Sequence, residues 1–335
     1  MASCLVVLTA LLGLTCAIKI DRTPLLMPGV APQKADTYMC YTMKLNSNME
    51  QNLVGFLPNT SHVVHHMLLY GCPEPGSQER VWNCGGDMSG TSGDDNAQET
   101  SPVCQSDEKI LYAWAHNAPS LELPEDVGFQ VGGETNIQYL VLQVHYNDQV
   151  KDYHNKDGKK DHSGITLLHT MEELPRQAGV IVMLANGRIP AQRQEVVDIA
   201  CPIVENTEIH PFAYRVHTHK LGKAVSGYVI QDGKWNLLGK RDPQTPQMFY
   251  PVADDKLVLS AGDIIAARCT MDNPHEHAVK MGSTMMDEMC NFYLMYWTEK
   301  PYAPVSQDSC VSLGPPYVYW DTFGLKDIPA DSSKP

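Results

Sequence analysis

The clearest fold signal in the chain is the segment Val225-Ser226-Gly227-Tyr228-Val229-Ile230-Gln231-Asp232-Gly233-Lys234-Trp235. Asp-Gly between β-branched and aromatic residues is typical of a two-residue β-hairpin turn. Similar short stretches, separated by Gly, Pro, Asn and Asp, recur at residues 54–57, 63–70, 139–146, 165–168, 180–184, 214–219, 264–269 and 291–297. Long helical periodicity is absent. We therefore expect an all-β protein with two antiparallel β-sandwich (jelly-roll-like) domains.

The cysteines divide the chain into two halves. Residues 1–17 are apolar, uncharged and end in small residues, which is typical of a secretory signal peptide. Eight cysteines follow it, four in each half, and an even number in an oxidising compartment predicts disulfides. Pairing within each half leaves several connectivities open. We expect a first domain at 18–174, a second at 175–312 and a Pro-rich tail at 313–335 that wraps loosely or frays.

Charge and hydropathy exclude several classes of partner. The formal net charge is -14, which argues against nucleic acid or an anionic membrane surface. After residue 17 no stretch approaches the ~20 apolar residues of a membrane span. We expect a monomer in the secretory granule lumen or outside the cell. Asn59-Thr60-Ser61 is a sequon, so Asn59 is a candidate glycosylation site.

The segment Tyr214-Arg215-Val216-His217-Thr218-His219 carries the first candidate site. Residues i, i+2 and i+4 of a strand share one face, so Arg215, His217 and His219 would point the same way. Two histidines can hold one metal ion, and the arginine can hold a carboxylate beside it. The segment predicts a metal site with an anchor for an acidic substrate.

Two further histidine groups lie in strand-like segments. His65 and His66 are adjacent, so they would point to opposite faces unless a bulge intervenes. A half-buried pair with one ring in the core is the alternative. His145 is a single strand histidine, which taken alone is more typical of a structural role than of a ligand.

A second alternating segment is Asp287-Glu288-Met289-Cys290-Asn291-Phe292-Tyr293-Leu294-Met295. In a strand, Met289, Asn291 and Tyr293 would share a face. A thioether beside imidazoles favours copper over zinc or calcium. The chain contains no GxSxG, GxGxxG or HExxH motif. A disulfide-rich secreted binding module is the alternative, but it would not explain three histidine groups.

Together these segments resemble the copper type II, ascorbate-dependent monooxygenases, and within them the branch that hydroxylates peptidylglycine. The resemblance extends from about Met27 to Cys310. Its motifs are Met27-Pro28-Gly29-Val30, His65-His66-Met67-Leu68-Leu69-Tyr70-Gly71-Cys72, Leu111-Tyr112-Ala113-Trp114-Ala115, Val131-Gly132-Gly133-Glu134-Thr135, Gln143-Val144-His145-Tyr146, the segment from Arg215 to His219, and the segment from Asp287 to Tyr293.

The resemblance implies two copper ions per chain. The ligands of the first, an electron-transfer copper, would be His65, His66 and His145. Those of the second, where O2 and substrate react, would be His217, His219 and Met289. Ascorbate would be the reductant and O2 the co-substrate.

The resemblance also implies the substrate and the disulfides. The substrate would be a glycine-extended peptide whose terminal glycine is hydroxylated at the α-carbon, the first step of peptide amidation. Arg215 would bind its carboxylate, with Asn291, Tyr293 and Tyr38 nearby. We expect this chain to stop at the hydroxylated peptide, which a separate peptidylhydroxyglycine lyase would cleave. The expected disulfides are Cys40–Cys84, Cys72–Cys104, Cys201–Cys310 and Cys269–Cys290.

The chain departs from the family pattern at two positions. His162 stands where relatives have one cysteine of a fifth bridge, and Lys220 stands where the family often has a third histidine. Two other functions compete with peptidylglycine hydroxylation. The sister dopamine β-monooxygenase branch acts on amines, which have no carboxylate for Arg215 to bind. The second is a secreted copper-binding protein without catalysis.

Overall fold

The computed structural model describes residues 18–335 except 86–99, 116, 148–149, 151–157 and 285. The expected signal peptide at 1–17 lies outside this part of the chain. Within it there is no α-helix, and accordingly no helix long and apolar enough to cross a membrane. The described residues form β-strands joined by turns and loops, so the all-β prediction is confirmed.

The first half of the chain contributes two sheets. Its strands are β1 (Asp21–Leu26), β2 (Thr37–Lys44), β3 (Glu50–Asn59), β4 (Val64–Cys72), β5 (Val81–Asn83), β6 (Lys109–Ala115), β7 (Leu121–Glu122), β8 (Val127–Gly132), β9 (Tyr139–Tyr146) and β10 (Gly164–Thr170). One sheet has the order β5-β2-β9-β4-β6. The other begins with β1-β10-β3-β8, and side chains of both sheets form one buried core.

The second half repeats this arrangement. Its strands are β11 (Arg176–Ala185), β12 (Arg188–Ile189), β13 (Arg193–Pro202), β14 (His210–His217), β15 (Gly222–Gln231), β16 (Lys234–Arg241), β17 (Tyr250–Pro251), β18 (Ile264–Asn273), β19 (Val279–Lys280), β20 (Asn291–Glu299) and β21 (Ser309–Ser312). A four-stranded sheet, β13-β18-β15-β16, packs against β11, β20 and β14. The proposed domain boundary at 174/175 lies between β10 and β11.

The two halves share a sheet and a core. β8 pairs with the start of β11 in parallel, which joins the halves into one ten-stranded sheet. Val180, Val182 and Met295 of the second half belong to the same buried cluster as Leu111 and Val144 of the first half. Because this contact is apolar, it positions the facing surfaces of the two halves against each other.

Most of the predicted strands are present, and the hairpin has the expected geometry. Asp232 and Gly233 have φ of 50° and 77°, as a type I′ turn requires, and they join β15 to β16. Two strand predictions were too long. β14 ends at His217, so His219 lies in the following turn, and β20 begins at Asn291, so Met289 lies in the loop before it.

The described residues form four disulfides, two in each half. They join Cys40 to Cys84, Cys72 to Cys104, Cys201 to Cys310 and Cys269 to Cys290, the same pairs that the resemblance implied. Cys269–Cys290 fixes the loop before β20 to β18. Cys201–Cys310 fixes β21 to β13. Both bonds therefore anchor segments that border the candidate site described below.

The C-terminal tail is packed rather than loose, which corrects the expectation from its proline content. Trp320 is fully buried, and its indole N–H donates to the carbonyl of Ile199 at 3.0 Å. Its backbone N–H donates to the Asp198 carboxylate at 2.9 Å. Arg268 holds that same carboxylate through two hydrogen bonds of 2.7 and 2.8 Å. The buried indole and the backbone hydrogen bond to Asp198, whose carboxylate Arg268 holds in place, thus fasten the tail to the four-stranded sheet.

Trp320→Ala should destabilise the protein by about 3–5 kcal/mol, because it empties a buried site and removes the indole hydrogen bond. The free energy of unfolding in urea would measure this loss. Phe323→Ala is the matched control, since Phe323 lies in the same tail but is 51% exposed. Equal stability of the two variants would contradict the fastening role of Trp320.

Candidate functional site

A β-bulge brings three histidines of the first half together. The register between β4 and β9 shifts between Val64 and His66, so His65 is an extra residue in its strand. The Nδ1 atoms of His65, His66 and His145 lie 3.2–3.3 Å from one another. The centre of such a triangle is about 1.9 Å from each corner, close to the ~2.0 Å of a metal–imidazole bond. The three rings therefore fit one metal ion.

Neighbouring groups orient these rings. His145 Nε2 lies 3.0 Å from Asp36 Oδ1, which favours a proton on Nε2 and leaves the Nδ1 lone pair for a metal. The Tyr38 ring stacks on His145 with a centroid distance of 4.0 Å. Burial lowers the pKa of His66, and the neighbouring His145 lowers it further. Burial also lowers the pKa of His145, although Asp36 opposes this shift. These lowered pKa values favour the neutral form of His66 and His145, the form that binds metals.

His217, the last residue of β14, lies next to the histidine group of the first half. Its Nδ1 lies 2.5 Å from Gln247 Oε1. The Gln247 amide nitrogen donates to the carbonyls of Thr218 at 3.1 Å and Pro243 at 2.9 Å, so Oε1 must be the atom that accepts from His217. This leaves the His217 Nε2 lone pair for a ligand. Burial and then the charge of Arg215 lower the pKa of His217.

His219 has the same tautomer. Its Nδ1 donates to the carbonyl of Asp287 at 2.9 Å, and its buried Nε2 has no partner among the described residues. Glu288 ties the two segments together, because its carboxylate accepts from the backbone N–H groups of His219, Leu221 (2.7 Å) and Met289 (2.8 Å). Met289 then lines the same small cavity as His217. Two imidazoles and a thioether suit copper.

The two histidine groups lie side by side in this structure. The ring centroids of His65 and His219 are 6.4 Å apart, and those of His66 and His217 are 5.9 Å apart. A cavity of about 490 Å³ opens beside His65, His217 and His219. Both candidate metal centres therefore face the same contact between the halves.

Arg215 provides a buried cation next to these groups. Its side chain is 2% exposed, and its Nε donates to the carbonyl of Gln247 at 2.9 Å. Its guanidinium lies 5.0 Å from the centroid of the Tyr293 ring. Nη1 is buried without a partner, and no described carboxylate forms an ion pair with Arg215. Burial lowers the pKa of Arg215. An anion bound here would compensate this charge.

The paired strands β14, β20, β11 and β21 carry two rows of side chains that begin at His217 and Arg215. His217 pairs with Asn291, Asn291 with Leu184, and Leu184 with Val311. The parallel row is Arg215, Tyr293, Val182 and Ser309. A cavity of about 240 Å³ follows the rows from Met289 and Asn291 over the apolar residues of β11. An adjoining cavity of about 20 Å³, which shares Met289 and Asn291 with the larger one, is lined by Tyr38, Tyr293 and Arg215.

Comparison with known proteins agrees with this geometry. The N-terminal domain of the copper type II ascorbate-dependent monooxygenase family matches residues 23–152, and the C-terminal domain of that family matches residues 176–323. The chain belongs to the copper type II ascorbate-dependent monooxygenases. The family is defined by its copper chemistry, for which both histidine groups described above supply suitable donors.

Several relatives within this family are amidating enzymes. Peptidyl-glycine alpha-amidating monooxygenase B of Xenopus laevis is 42% identical over 90% of this chain, and the enzyme of Rattus norvegicus is 41% identical over 92%. Dopamine beta-hydroxylase of Homo sapiens is 26% identical over 80% of this chain. The chain spans 33%, 29% and 44% of the length of these relatives, respectively.

The structure brings all six candidate metal ligands and all four candidate substrate residues to one region. Three residues that orient them were not predicted from the sequence, namely Asp36, Gln247 and Glu288. Gln247 follows His217 by 30 positions and Asp36 precedes His145 by 109, so no local spacing relates them. Glu288 stands next to Met289, and its burial at 1% exposure was not visible from the alternating pattern.

Gln247→Leu should weaken copper binding at the His217/His219 group by roughly 10- to 100-fold, because the acceptor that fixes the His217 tautomer is lost. Competition with a chelator, with copper counted per chain, would measure this. The copper of the His65/His66/His145 group should be retained. Gln105→Leu, at an exposed position, serves as the control. If Gln247→Leu bound copper as tightly as the native protein, Gln247 would not be needed to orient His217.

Proposed function

We propose that the chain hydroxylates the α-carbon of the C-terminal glycine of glycine-extended peptides, using copper, ascorbate and O2. The observation that carries this proposal is the buried guanidinium of Arg215 beside His217 and Met289, which has an unpartnered Nη1 and no carboxylate partner among the described residues. The similarity to peptidyl-glycine alpha-amidating monooxygenases supports it.

We assign His65, His66 and His145 to one copper and His217, His219 and Met289 to the other. Bound copper supplies one-electron redox chemistry with O2, so that one oxygen atom enters the C–H bond and the other leaves as water. Ascorbate supplies the two electrons that this balance requires. The protein contributes imidazole donors to both sites, and acceptors fix the tautomers of His145, His217 and His219.

Arg215 determines which carbon of the bound peptide lies near the candidate copper site of His217, His219 and Met289. A carboxylate bound to its guanidinium in a bidentate pair has a fixed plane and direction. The α-carbon is one bond from that carboxylate, and Arg215 and His217 lie two residues apart on one strand face. The α-carbon is thereby held toward His217 and Met289. Glycine, which has no side chain, is favoured at this position because the cavity lined by Arg215 and Met289 is small, about 20 Å³.

Asn291, Tyr293 and Tyr38 complete the wall around the bound glycine. Asn291 Nδ2 donates to the Tyr293 hydroxyl at 3.2 Å, and Tyr38 donates to the carbonyl of Ser283 at 2.8 Å. Burial raises the pKa of Tyr38, and Asp36 raises it further, so its hydroxyl stays protonated. These side chains would flank the bound glycine, and the next peptide residue would lie over Val182 and Leu184.

We propose that the reaction takes place in the secretory pathway or outside the cell. Four disulfides are typical of the secretory pathway or the extracellular space, and Asn59 is exposed at the end of β3 as a glycosylation site requires. The product, a peptide ending in α-hydroxyglycine, would pass to a separate lyase. We propose that the enzyme acts as a monomer.

Arg215→Gln should raise the KM for a glycine-extended peptide roughly 30- to 150-fold, because a charge-assisted pair of about 2–3 kcal/mol is lost. The assay is the gain of one oxygen atom in peptide mass with copper and ascorbate present. Arg193→Gln, at a 56% exposed side chain, is the control.

Substrate variants distinguish the competing functions. A peptide ending in an amide instead of a carboxylate should not be oxidised. Oxidation of a phenethylamine in preference to the peptide would instead favour the amine-hydroxylating branch. If no substrate is oxidised while two coppers are bound per chain, the binding-protein alternative is correct.

A further inference from the structure

The outer end of the 240 Å³ cavity carries two carboxylates. Glu108, just before β6, and Asp308, just before β21, line it together with Val311, which is 56% exposed. We call Glu108 and Asp308 the acidic rim. Because the cavity continues from Met289 and Asn291 to this rim, a peptide leaving the glycine site passes the rim on its way to solvent.

The acidic rim has more negative than positive charge. Lys109 pairs with Asp308 at 2.9 Å and donates to the carbonyl of Ser306 at 3.2 Å. Glu108 is half-buried and makes no ion pair with any described residue. Burial raises the pKa of Glu108, and the neighbouring Asp308 raises it further. A cation near Glu108 would therefore relieve an uncompensated carboxylate.

The third carboxylate that lines the cavity, Glu288, is compensated within the protein. Glu288 already accepts three backbone N–H groups, so its lone pairs are used within the protein. Val180, Val182 and Leu184 between the two ends are apolar and select no charge. Glu108 is thus the one lining carboxylate, in the described part of the cavity, that neither an ion pair nor backbone donors compensate.

The strand register gives the distance from the glycine site to the rim. From Arg215 on β14 the row crosses β20 and β11 to Ser309 on β21, next to Asp308. Three spacings of ~4.8 Å make about 14 Å, and an extended peptide advances ~3.3 Å per residue. A peptide anchored at Arg215 therefore reaches the rim about four residues before its glycine.

We propose that Glu108 gives this enzyme a preference for glycine-extended peptides with a Lys or Arg three to five residues before the terminal glycine. This inference rests on the proposed function, because Arg215 must hold the peptide carboxylate for the register to apply. Glu108 acts here on substrate choice and not on the oxidation step.

The test is a scan in which one residue of a neutral, labelled glycine-extended peptide is changed to Lys, Gln or Glu at each of six positions. Binding to the copper-loaded protein without ascorbate is measured by fluorescence anisotropy, and kcat/KM is measured with ascorbate. We expect Lys to be favoured over Glu by about 5- to 10-fold near the fourth position and by less than twofold elsewhere. High salt should reduce this preference.

Glu108→Gln keeps the size of the side chain and removes its charge. It should abolish most of the Lys preference while leaving kcat for the Gln-containing peptide unchanged, and Glu108→Lys should favour the Glu-containing peptide. Glu125→Gln, an exposed carboxylate outside the cavity, should behave like the native protein. A circular dichroism melt verifies that each variant is folded.

The outcomes separate this inference from the proposed function. Oxidation of all peptides with no charge preference, or with a preference that Glu108→Gln retains, overturns the role of Glu108 and leaves the function intact. Binding with a Glu108-dependent preference but no oxidation overturns the function and supports the role of Glu108. If Glu108→Gln did not fold, absence of a position- and salt-dependent preference in the native protein would still overturn the inference.

Discussion

The pairing of β14 with β20 is the constraint on which the site depends. It places Arg215 opposite Tyr293 and His217 opposite Asn291, and β11 continues both rows on the other side of β20. A shift of one residue would turn every one of these side chains to the opposite face. The Cys269–Cys290 bond, directly before β20, restricts such a shift. Catalytic placement and strand register are thus the same property of this fold.

Orientation of the imidazoles depends on a second set of contacts outside the strands. Asp36, Gln247 and the carbonyl of Asp287 each occupy one ring nitrogen of a histidine and leave the other toward the candidate metal. Glu288 adds a connection between the turn after β14 and the loop before β20. These acceptors fix the tautomer and the orientation of His145, His217 and His219, which a strand face alone would not ensure.

The sequence predicted the parts of the molecule that local pattern determines. The hairpin at Asp232-Gly233 follows from backbone conformation, and the shared face of Arg215 and His217 follows from strand periodicity. The sequence indicated only that His65 and His66 need a bulge to bind one ion. It did not predict the bulge itself, because a register shift depends on the partner strand. Gln247 and Trp320 were not predicted, since their roles come from contacts between distant segments. The loose tail predicted from the proline content was wrong, because the buried indole of Trp320 fastens the tail.

Two adjoining cavities on this face, which share Met289 and Asn291, carry opposite charges. Arg215 presents a buried cation in the smaller cavity, and Glu108 presents a carboxylate at the far end of the larger one, with apolar side chains between them. A peptide with a C-terminal carboxylate and a basic residue upstream matches both ends in one direction only, because in the reverse direction like charges would meet. The uncompensated guanidinium and carboxylate cost stability in the free protein. In the proposed peptide complex each would be paired, so binding would recover that cost and set the direction of the peptide over His217 and Met289.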